Sequence, residues 1–347
     1  MRANNISYIF QALLAAIFFG ASAPISKLLL GDVPPVLMAA FLYLGSGTGI
    51  SLVKLSQRLT SNQKEAGIKS PDVKWLAGAI ISGGVLAPIM LMVSLQNTPA
   101  STASLLLNFE GVGTTLIALF FFRESVSRRA LAAIFVITLA SIFLSTNFAG
   151  GFGFSLGASG VLLACVLWGV DNNCTRNISA KDPLTIVAWK GLVAGTFSLL
   201  LGLLLGQRLP SLTSILSILL LGFISYGLST MLFIYSMRGL GAARTSALYG
   251  TAPLAGVLLS FIIFSDPLTL LFLIAAIFMA AGALLLANEE HAHFHIHMPV
   301  VHEHRHNHDE FHTHAETDLA HSHEHQHPRT EHGHGHMPDI HHRHKDE

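Results

Sequence analysis

The stretch PASTASLLLNFEGVGTTLIALFFFRES, from Pro99 to Ser125, is the most informative part of this chain. It is about as long as a bilayer is thick, and it is apolar except for one carboxylate, Glu110, in its middle and a charged pair at its end. A related stretch, GAARTSALYGTAPLAGVLLSFIIFSDP, runs from Gly241 to Pro267. A helix-weakening residue occupies the same place in both copies, Gly111 in the first and Pro253 in the second. Paired, interrupted hydrophobic helices in two halves of a chain indicate the binding site of a transporter.

The composition divides the chain into a membrane part and a soluble tail. Of 347 residues, 51% are hydrophobic and 12% charged, which is typical of an integral membrane protein. All 20 histidines lie in residues 291–347. The two cysteines, Cys165 and Cys174, lie nine residues apart on one predicted helix, so they cannot bridge to each other. A disulfide scaffold is therefore excluded.

Ten apolar segments of membrane-spanning length predict an all-α membrane protein with ten transmembrane helices. They cover residues 8–30, 35–54, 75–95, 101–122, 129–146, 157–178, 184–205, 213–236, 243–264 and 267–287.

The basic residues predict the orientation of these helices. With the N-terminus inside, the inner loops hold 13 Lys and Arg residues, and the outer loops hold only Arg208. An even number of helices then places the C-terminal tail inside as well. We expect an integral, multi-pass protein of the inner (plasma) membrane with both termini cytoplasmic and no cleavable signal peptide.

An internal repeat joins the two halves. The segment FFGASAPISK aligns with LWGVDNNCTR, which matches Gly20 with Gly169 and Lys27 with Arg176. Each copy has five spans, an odd number, so the second copy enters the membrane inverted. The expected units are a first five-helix repeat over 8–146, a second over 157–287, and the tail over 291–347.

Several motif residues occur at corresponding places in the two halves. They are Gly20, Lys27, Pro34 and Pro35 in and after the first helix, Trp168 and Gly169 in the sixth, and Glu124, Pro253 and Asp266 in and after the fourth and ninth. This pattern resembles the drug/metabolite transporter superfamily, EamA type, over about residues 8–287. Two positions depart from the family pattern: Gly111 stands where proline is usual, and Phe41 where arginine is common, although Lys190 keeps the charge in the second repeat. The resemblance implies alternating-access transport of a small solute and leaves the solute open.

Glu110 is the first candidate for the substrate pathway. A carboxylate in mid-span costs several kcal/mol unless it is paired, protonated or hydrated, so it should face the interior. It would serve proton coupling or bind a substrate cation; the alternative is a structural ion pair with Lys190. The full set of pathway candidates is Asn108, Glu110, Trp168, Asp171, Asn172, Lys190, Tyr226, Tyr249 and Pro253.

The other candidates have plainer alternatives. Asp171, Asn172 and Asn173 span most of a helix circumference, so at least one must face protein or water, unless the run lies at the inner headgroups. Lys190 would pair with Asp171 or Glu110, or extend to the inner surface. The small residues Ser104, Gly111 and Thr115 of the fourth helix favour close helix packing. Tyr226 and Tyr249 would either line a pathway or pack in an aromatic core.

The tail has the sharpest chemical pattern in the sequence. Alternating histidines lie on one side of an extended backbone, where neighbouring imidazoles can bind one ion, and imidazole suits Zn²⁺, Ni²⁺, Co²⁺ and Cu²⁺. The expected ligands are His291, His293, His295, His297, His302, His304, His306, His308, His321, His323, His325, His327, His332, His334 and His336. A chain of this composition cannot form a core, so we expect a disordered tail without metal. Twenty groups that titrate near neutrality would also suit a pH sensor.

The sequence therefore favours a secondary transporter, an exporter of a small organic solute with a metal-binding tail. No GxxxxGK[ST] motif is present to hold a nucleotide. Two alternatives remain: direct efflux of Ni, Co or Zn, and a membrane-anchored metal-sensing or buffering protein without transport. No enzyme activity, nucleic-acid partner or required cofactor is expected. The partners are the solute, divalent metal ions and the lipid bilayer, and the oligomeric state, with a homodimer among the options, stays open.

Overall fold

The computed structural model describes most of the membrane part and four segments of the tail. The described residues are 2–60, 65–122, 128–147, 153–179, 181–240, 245, 248–266, 268–287, 291–297, 300–307, 320–327 and 330–336, with the backbone alone in the tail.

Helices occupy all ten segments predicted from the sequence. We number them α1 (Arg2–Gly20 and Ser22–Leu29), α2 (Pro35–Thr60), α3 (Val73–Ala79, Ile80–Leu86 and Ala87–Gln96), α4 (Ala100–Leu106 and Phe109–Phe122), α5 (Arg128–Ser145), α6 (Leu156–Arg176), α7 (Pro183–Leu204), α8 (Leu212–Gly222, Phe223–Leu228 and Ser229–Leu240), α9 (Ala252–Phe264) and α10 (Leu270–Ala287). A short antiparallel pair, β1 (Thr146–Asn147) and β2 (Gly153–Phe154), joins α5 to α6.

The helices have the length and apolarity of membrane spans. Within the described residues, six are long and apolar enough to cross a bilayer, namely Ile6–Leu29, Pro35–Gln57, Ser70–Gln96, Ala100–Phe122, Pro183–Leu204 and Leu212–Ser236. Three shorter apolar helices lie at Leu131–Leu144, Ala252–Phe264 and Leu270–Gly282. Large apolar side chains such as Phe121 and Ile277 are exposed on the outer faces, as expected where lipid is the solvent.

Helix contacts follow a pseudo-two-fold pattern that relates α1–α5 to α6–α10. The contact of α1 with α8 has its counterpart in that of α6 with α3, and the contact of α4 with α6 in that of α9 with α1. Three further contacts, α2–α7, α4–α9 and α5–α10, each join a helix to its equivalent in the other repeat. The pseudo-two-fold operation therefore maps each of these pairs onto itself. The two five-helix repeats therefore pack as symmetry-related halves of one bundle.

The matched glycines Gly20 and Gly169 explain part of this packing. A Cβ atom on Gly20 would lie 2.2 Å from the carbonyl oxygen of Ala252 in α9, and one on Gly169 would lie 2.7 Å from the carbonyl carbon of Gly113 in α4. Small residues allow helix backbones to approach closely inside a membrane. Both repeats therefore have a glycine at corresponding close contacts between helices.

Two π-helical segments occur at corresponding places, Ile80–Leu86 in α3 and Phe223–Leu228 in α8. Their sequences share the pattern Ile-Ser-x-Gly, at 81–84 and 224–227. Single π turns inside α-helices are frequent at functional sites because they redirect backbone carbonyls. Their neighbours correspond as well: Ile80–Leu86 packs against α6 and α7, and Phe223–Leu228 packs against α1 and α2.

The described segments of the tail have extended backbone. Its described segments are four strands, β3 (His291–His297), β4 (Val300–Asn307), β5 (Ala320–His327) and β6 (Thr330–His336). β3 pairs antiparallel with β6, and β4 with β5. Strict alternation of one residue type is a period-2 pattern, and that is the period of a strand.

Candidate functional site

A break in α4 places Glu110 at the start of a half-helix. The N–H groups of Asn108 and Glu110 bond carbonyls three residues back, at Leu105 (3.2 Å) and Leu107 (3.1 Å), and regular helix resumes at Phe109. Glu110 therefore lies in the first turn of the second half, where the helix dipole favours a negative charge. The break explains how a carboxylate is accommodated in mid-span.

A corresponding break precedes α9. The described residues Gly250 and Thr251 form a turn, and Pro253 lies in the first turn of the helix that follows. The sequence predicted paired, interrupted helices here, with Gly111 and Pro253 as the helix-weakening residues, and both repeats carry a break close to these positions. Proline suits the first helical turn because its missing N–H has no intrahelical partner there.

Glu110 faces α6, where Asn172 is its partner. The Asn172 Nδ2 group donates to Glu110 Oε1 at 2.8 Å and to Thr114 Oγ1 at 3.1 Å. Asn172 is exposed and Glu110 half-buried, so this hydrogen bond lies at the edge of the contact between α4 and α6. The alternative of an ion pair between Glu110 and Lys190 is not what the structure shows.

Lys190 of α7 pairs with Asp171 instead. Its Nζ contacts Asp171 Oδ2, and Thr175 Oγ1 donates to Asp171 Oδ1 at 3.0 Å. The Asp171 side chain is 3% exposed and that of Lys190 21%. A carboxylate this deeply buried needs its partner, because an unpaired charge in a low-dielectric interior is costly.

Each residue of the polar run in α6 therefore has its own contact. Asp171 meets α7, Asn172 meets Glu110, and Asn173 donates to the carbonyl oxygens of Gly169 (2.8 Å) and Thr114 (3.0 Å). The run joins α6 to α4 and α7, with Asp171 and Asn173 buried and Asn172 exposed.

The π-helical segment of α3 supplies an unusual acceptor, the carbonyl oxygen of Gly83. It accepts the Tyr43 hydroxyl at 2.5 Å and the Trp168 Nε1–H at 3.1 Å. The segment frees this oxygen because Ala87 N–H donates to the carbonyl five residues back rather than to Gly83, and Pro88 has no N–H. One carbonyl therefore positions aromatic side chains from α2 and α6.

Gly83 also accommodates the ion pair. A Cβ atom at this position would lie 2.0 Å from Asp171 Oδ2, so only glycine allows the buried carboxylate to rest against the helix.

Tyr226, from the π-helical segment of α8, anchors an aromatic cluster next to these groups. Its ring centroid lies 5.5 Å from that of Tyr43 and 6.0 Å from that of Phe19. Tyr249 continues the cluster, 5.6 Å from Phe19 and 4.8 Å from Phe233. Tyr43 links this cluster to α6, because its hydroxyl and Trp168 Nε1–H share the carbonyl oxygen of Gly83.

Two of the expected pathway residues make fewer contacts. Asn108 Nδ2 donates to the carbonyl of Leu105 in its own helix at 3.1 Å, and Pro253 is half-buried. They contribute the helix breaks rather than contacts to the charged groups.

Sequence reasoning missed Phe19, Tyr43, Gly83 and Thr114. The adjacent glycines Gly83 and Gly84 could have indicated this position, since a glycine pair inside a hydrophobic helix is otherwise costly. Nothing in the sequence singles out Tyr43, which is one of many aromatic residues.

The described residues contain no group of three or more His, Cys, Asp or Glu side chains that could hold a metal ion. For the expected histidine ligands, the structure gives backbone positions in β3–β6, and His308 lies outside the described residues.

Comparison with known proteins agrees with this architecture. The model of the EamA-like transporter family matches residues 6–146 and 155–288. An uncharacterized transporter of Methanothermobacter thermautotrophicus (strain Delta H) is 28% identical over 288 residues, which cover 78% of this chain and 83% of the relative. A protein of known crystal structure superposes with a TM-score of 0.58 at 21% identity, over 79% of this chain and 94% of that one, a likeness of fold.

The family model covers both repeats and all ten helices, and it includes the residues that form the site around Glu110. The chain is an integral, multi-pass membrane transporter that belongs to the EamA-like transporter family.

Proposed function

We propose that this protein exports a small organic solute across the inner membrane by alternating access, and that the solute binds at the site around Glu110. The observation that carries the proposal is the hydrogen bond between Glu110 and the exposed Asn172 amide of α6. On the same helix, Trp168 shares the carbonyl oxygen of Gly83 with Tyr43 of the aromatic cluster. A carboxylate, an amide and aromatic faces suit a solute with a cationic or polar group and an apolar body.

Glu110 is the carboxylate suited to a coupling role. Among the described residues, no basic side chain forms an ion pair with it, whereas Asp171 is neutralised by Lys190. A carboxylate without a fixed counter-ion can take up a proton or a substrate cation in turn. We therefore propose that transport is secondary and that Glu110 exchanges these two ligands.

The proposed direction and orientation rest on the distribution of charge. The loops predicted to be inside carry two ion pairs, Lys54–Asp182 and Lys181–Asp72, at one end of the bundle. With both termini cytoplasmic, the tail would sample the pool that an exporter draws down. We propose that this tail binds Zn, Ni, Co or Cu and reports on that pool or buffers it.

The alternatives are weaker on the same observations. Direct efflux of Ni, Co or Zn is favoured by the tail, but the described membrane helices carry no metal-ligand cluster. A metal-sensing anchor would not need the buried pair Asp171–Lys190 or Glu110 in mid-membrane. Catalysis is not part of the proposal, because the site has no nucleophile held by a base.

The test compares the organic solutes released by cells that make the wild type, Glu110→Gln or Asp32→Asn. Asp32 is an exposed carboxylate outside the site, so its variant controls for the loss of a charge. We expect at least one organic solute to be released by the wild type and by Asp32→Asn but not by Glu110→Gln. Equal release from all three would contradict the proposal.

A further inference from the structure

The strands of the tail share one pairing register. In the β3–β6 pair, His297 lies opposite Thr330, and three steps further along the same register Val300 lies opposite His327, which begins the β4–β5 pair. The two short sheets therefore follow the register of one antiparallel hairpin, with β3 and β4 in one arm and β5 and β6 in the other.

This register places histidine opposite histidine six times. The pairs are His291–His336, His293–His334, His295–His332, His302–His325, His304–His323 and His306–His321. Directly opposed residues of an antiparallel pair lie on the same face, and so do alternate residues of each strand. Each sheet thus has one face that carries seven histidines, six of them opposed in pairs.

The sequence matches this register independently. The alternation of histidines shifts phase between His297 and His302 in the first arm, and between His327 and His332 in the second, by five residues each time. The two shifts lie opposite each other in the register, so histidines are opposed both before and after them. A random placement of histidines in the two arms would not preserve opposition across both sheets.

We propose that the hairpin holds two histidine ladders, each a binding site for a late first-row divalent metal ion. The upper ladder comprises His291, His293, His295, His332, His334 and His336, and the lower ladder His302, His304, His306, His321, His323 and His325. Opposed Cα atoms lie about 4.5–5.5 Å apart and successive pairs on one face about 7 Å apart, so two neighbouring pairs offer four imidazoles to one ion. Metal–nitrogen bonds of about 2.0–2.1 Å are within reach of such a rectangle.

Metal binding at a ladder joins two arms that are distant in sequence. The ion would close the loop between β4 and β5, so binding and hairpin formation are coupled. The inference rests on the proposed metal binding by the tail and adds that ligands come from both arms, rather than from neighbouring histidines of one arm. It does not rest on the proposed transport.

The test moves the histidines of one arm by a single residue without changing their number. The one-arm variant exchanges neighbours in β4 through Val301→His, His302→Val, Glu303→His, His304→Glu, Arg305→His and His306→Arg. It keeps three alternating histidines but moves them to the opposite face. The two-arm variant adds His321→Ser, Ser322→His, His323→Glu, Glu324→His, His325→Gln and Gln326→His, which restores the opposition.

Tight Ni²⁺ sites are counted on the full-length, detergent-solubilised proteins by equilibrium dialysis. We expect the one-arm variant to lose about half of the tight sites, because the upper ladder remains, and the two-arm variant to regain them. If the one-arm variant keeps the full number, the ladders are contradicted while metal binding by the tail stands. If the wild type binds no Ni²⁺ tightly, both fail, and neither result affects the transport test with Glu110→Gln.

Discussion

At the scale of single residues, the site depends on one glycine and one buried ion pair. Gly83 offers its carbonyl oxygen to Tyr43 and Trp168 and leaves room for Asp171. Lys190 neutralises Asp171 and so leaves Glu110 without a direct counter-ion in the described part of the bundle. Asp171 and Lys190 therefore neutralise each other, while Glu110 accepts a hydrogen bond from Asn172.

Replacement of Gly83 by alanine tests this arrangement. The added methyl group would lie 2.0 Å from Asp171 Oδ2, so the variant Gly83→Ala should destabilise the protein by about 1–3 kcal/mol, the usual cost of overpacking. Thermal unfolding in detergent, followed by tryptophan fluorescence, measures the loss. Gly67→Ala is the matched control, because nothing lies within 4 Å of a Cβ atom there. Equal unfolding temperatures for the two variants would refute the steric account.

The ion pair Asp171–Lys190 should behave as a coupled unit. Asp171→Asn or Lys190→Met alone leaves one buried charge without its partner, and each should cost about 3–5 kcal/mol. The double variant should recover a large part of this loss, because no charge is then left unpaired. A double-mutant cycle on unfolding free energies gives the coupling, and additive single effects would show that the two side chains act independently.

At the scale of elements, the sequence predicts helices better than their interruptions. Hydropathy finds all ten helical segments because apolar length is what the bilayer selects. Interruptions were indicated by Gly111 in the first repeat and Pro253 in the second, although the break in α4 lies a few residues earlier, at Leu107–Asn108. The π-helical segments leave no mark in hydropathy. The partner of Lys190, Asp171 rather than Glu110, depends on how α6 packs against α7.

One contact between elements should make stability depend on pH. Asp182 precedes α7 and accepts hydrogen bonds from Lys54 at the end of α2 (2.6 Å) and from Thr185. Burial alone would raise the pKa of Asp182, but these hydrogen bonds outweigh burial and lower the pKa below its usual range. The contribution of Asp182 is therefore complete above the unfolded-state pKa of about 4 and is lost as the pH falls through the lower folded-state pKa.

The variant Asp182→Asn isolates this contribution. We expect it to lower the unfolding free energy at pH 7 by about 1–3 kcal/mol, and the difference from the wild type to vanish towards pH 3. Both proteins are compared as versions ending at Asn288, so that titration of the tail histidines does not contribute. A difference that stays constant between pH 7 and pH 3 would argue against a charged hydrogen bond at Asp182.

At the scale of the whole molecule, ten helices in two repeats and 13 basic residues in the predicted inner loops predict that both termini are cytoplasmic. A fluorescent protein fused after the tail should fold and fluoresce, because it stays in the cytoplasm. Alkaline phosphatase fused after Arg208 should be active, because it is exported. The opposite pair of results would invert the topology and place the tail outside.

The histidine pattern of the tail predicts some of its properties and leaves others open. Alternating histidines predict metal chemistry, but composition alone suggested disorder, and only the register of the described strands reveals that the histidines of the two arms are opposed. Pairing between distant segments is a property of two arms together, so inspection of either arm could not supply it.

The central claim is that the membrane helices move an organic solute while the tail handles metal. The most direct measurement is the accumulation of radioactive nickel, cobalt and zinc in cells that make the full-length protein, a version ending at Asn288, or Glu110→Gln. We predict that truncation changes metal accumulation and that Glu110→Gln leaves it as in the full-length protein. If the full-length protein lowers accumulation and Glu110→Gln restores it, the site around Glu110 transports metal and the claim is contradicted.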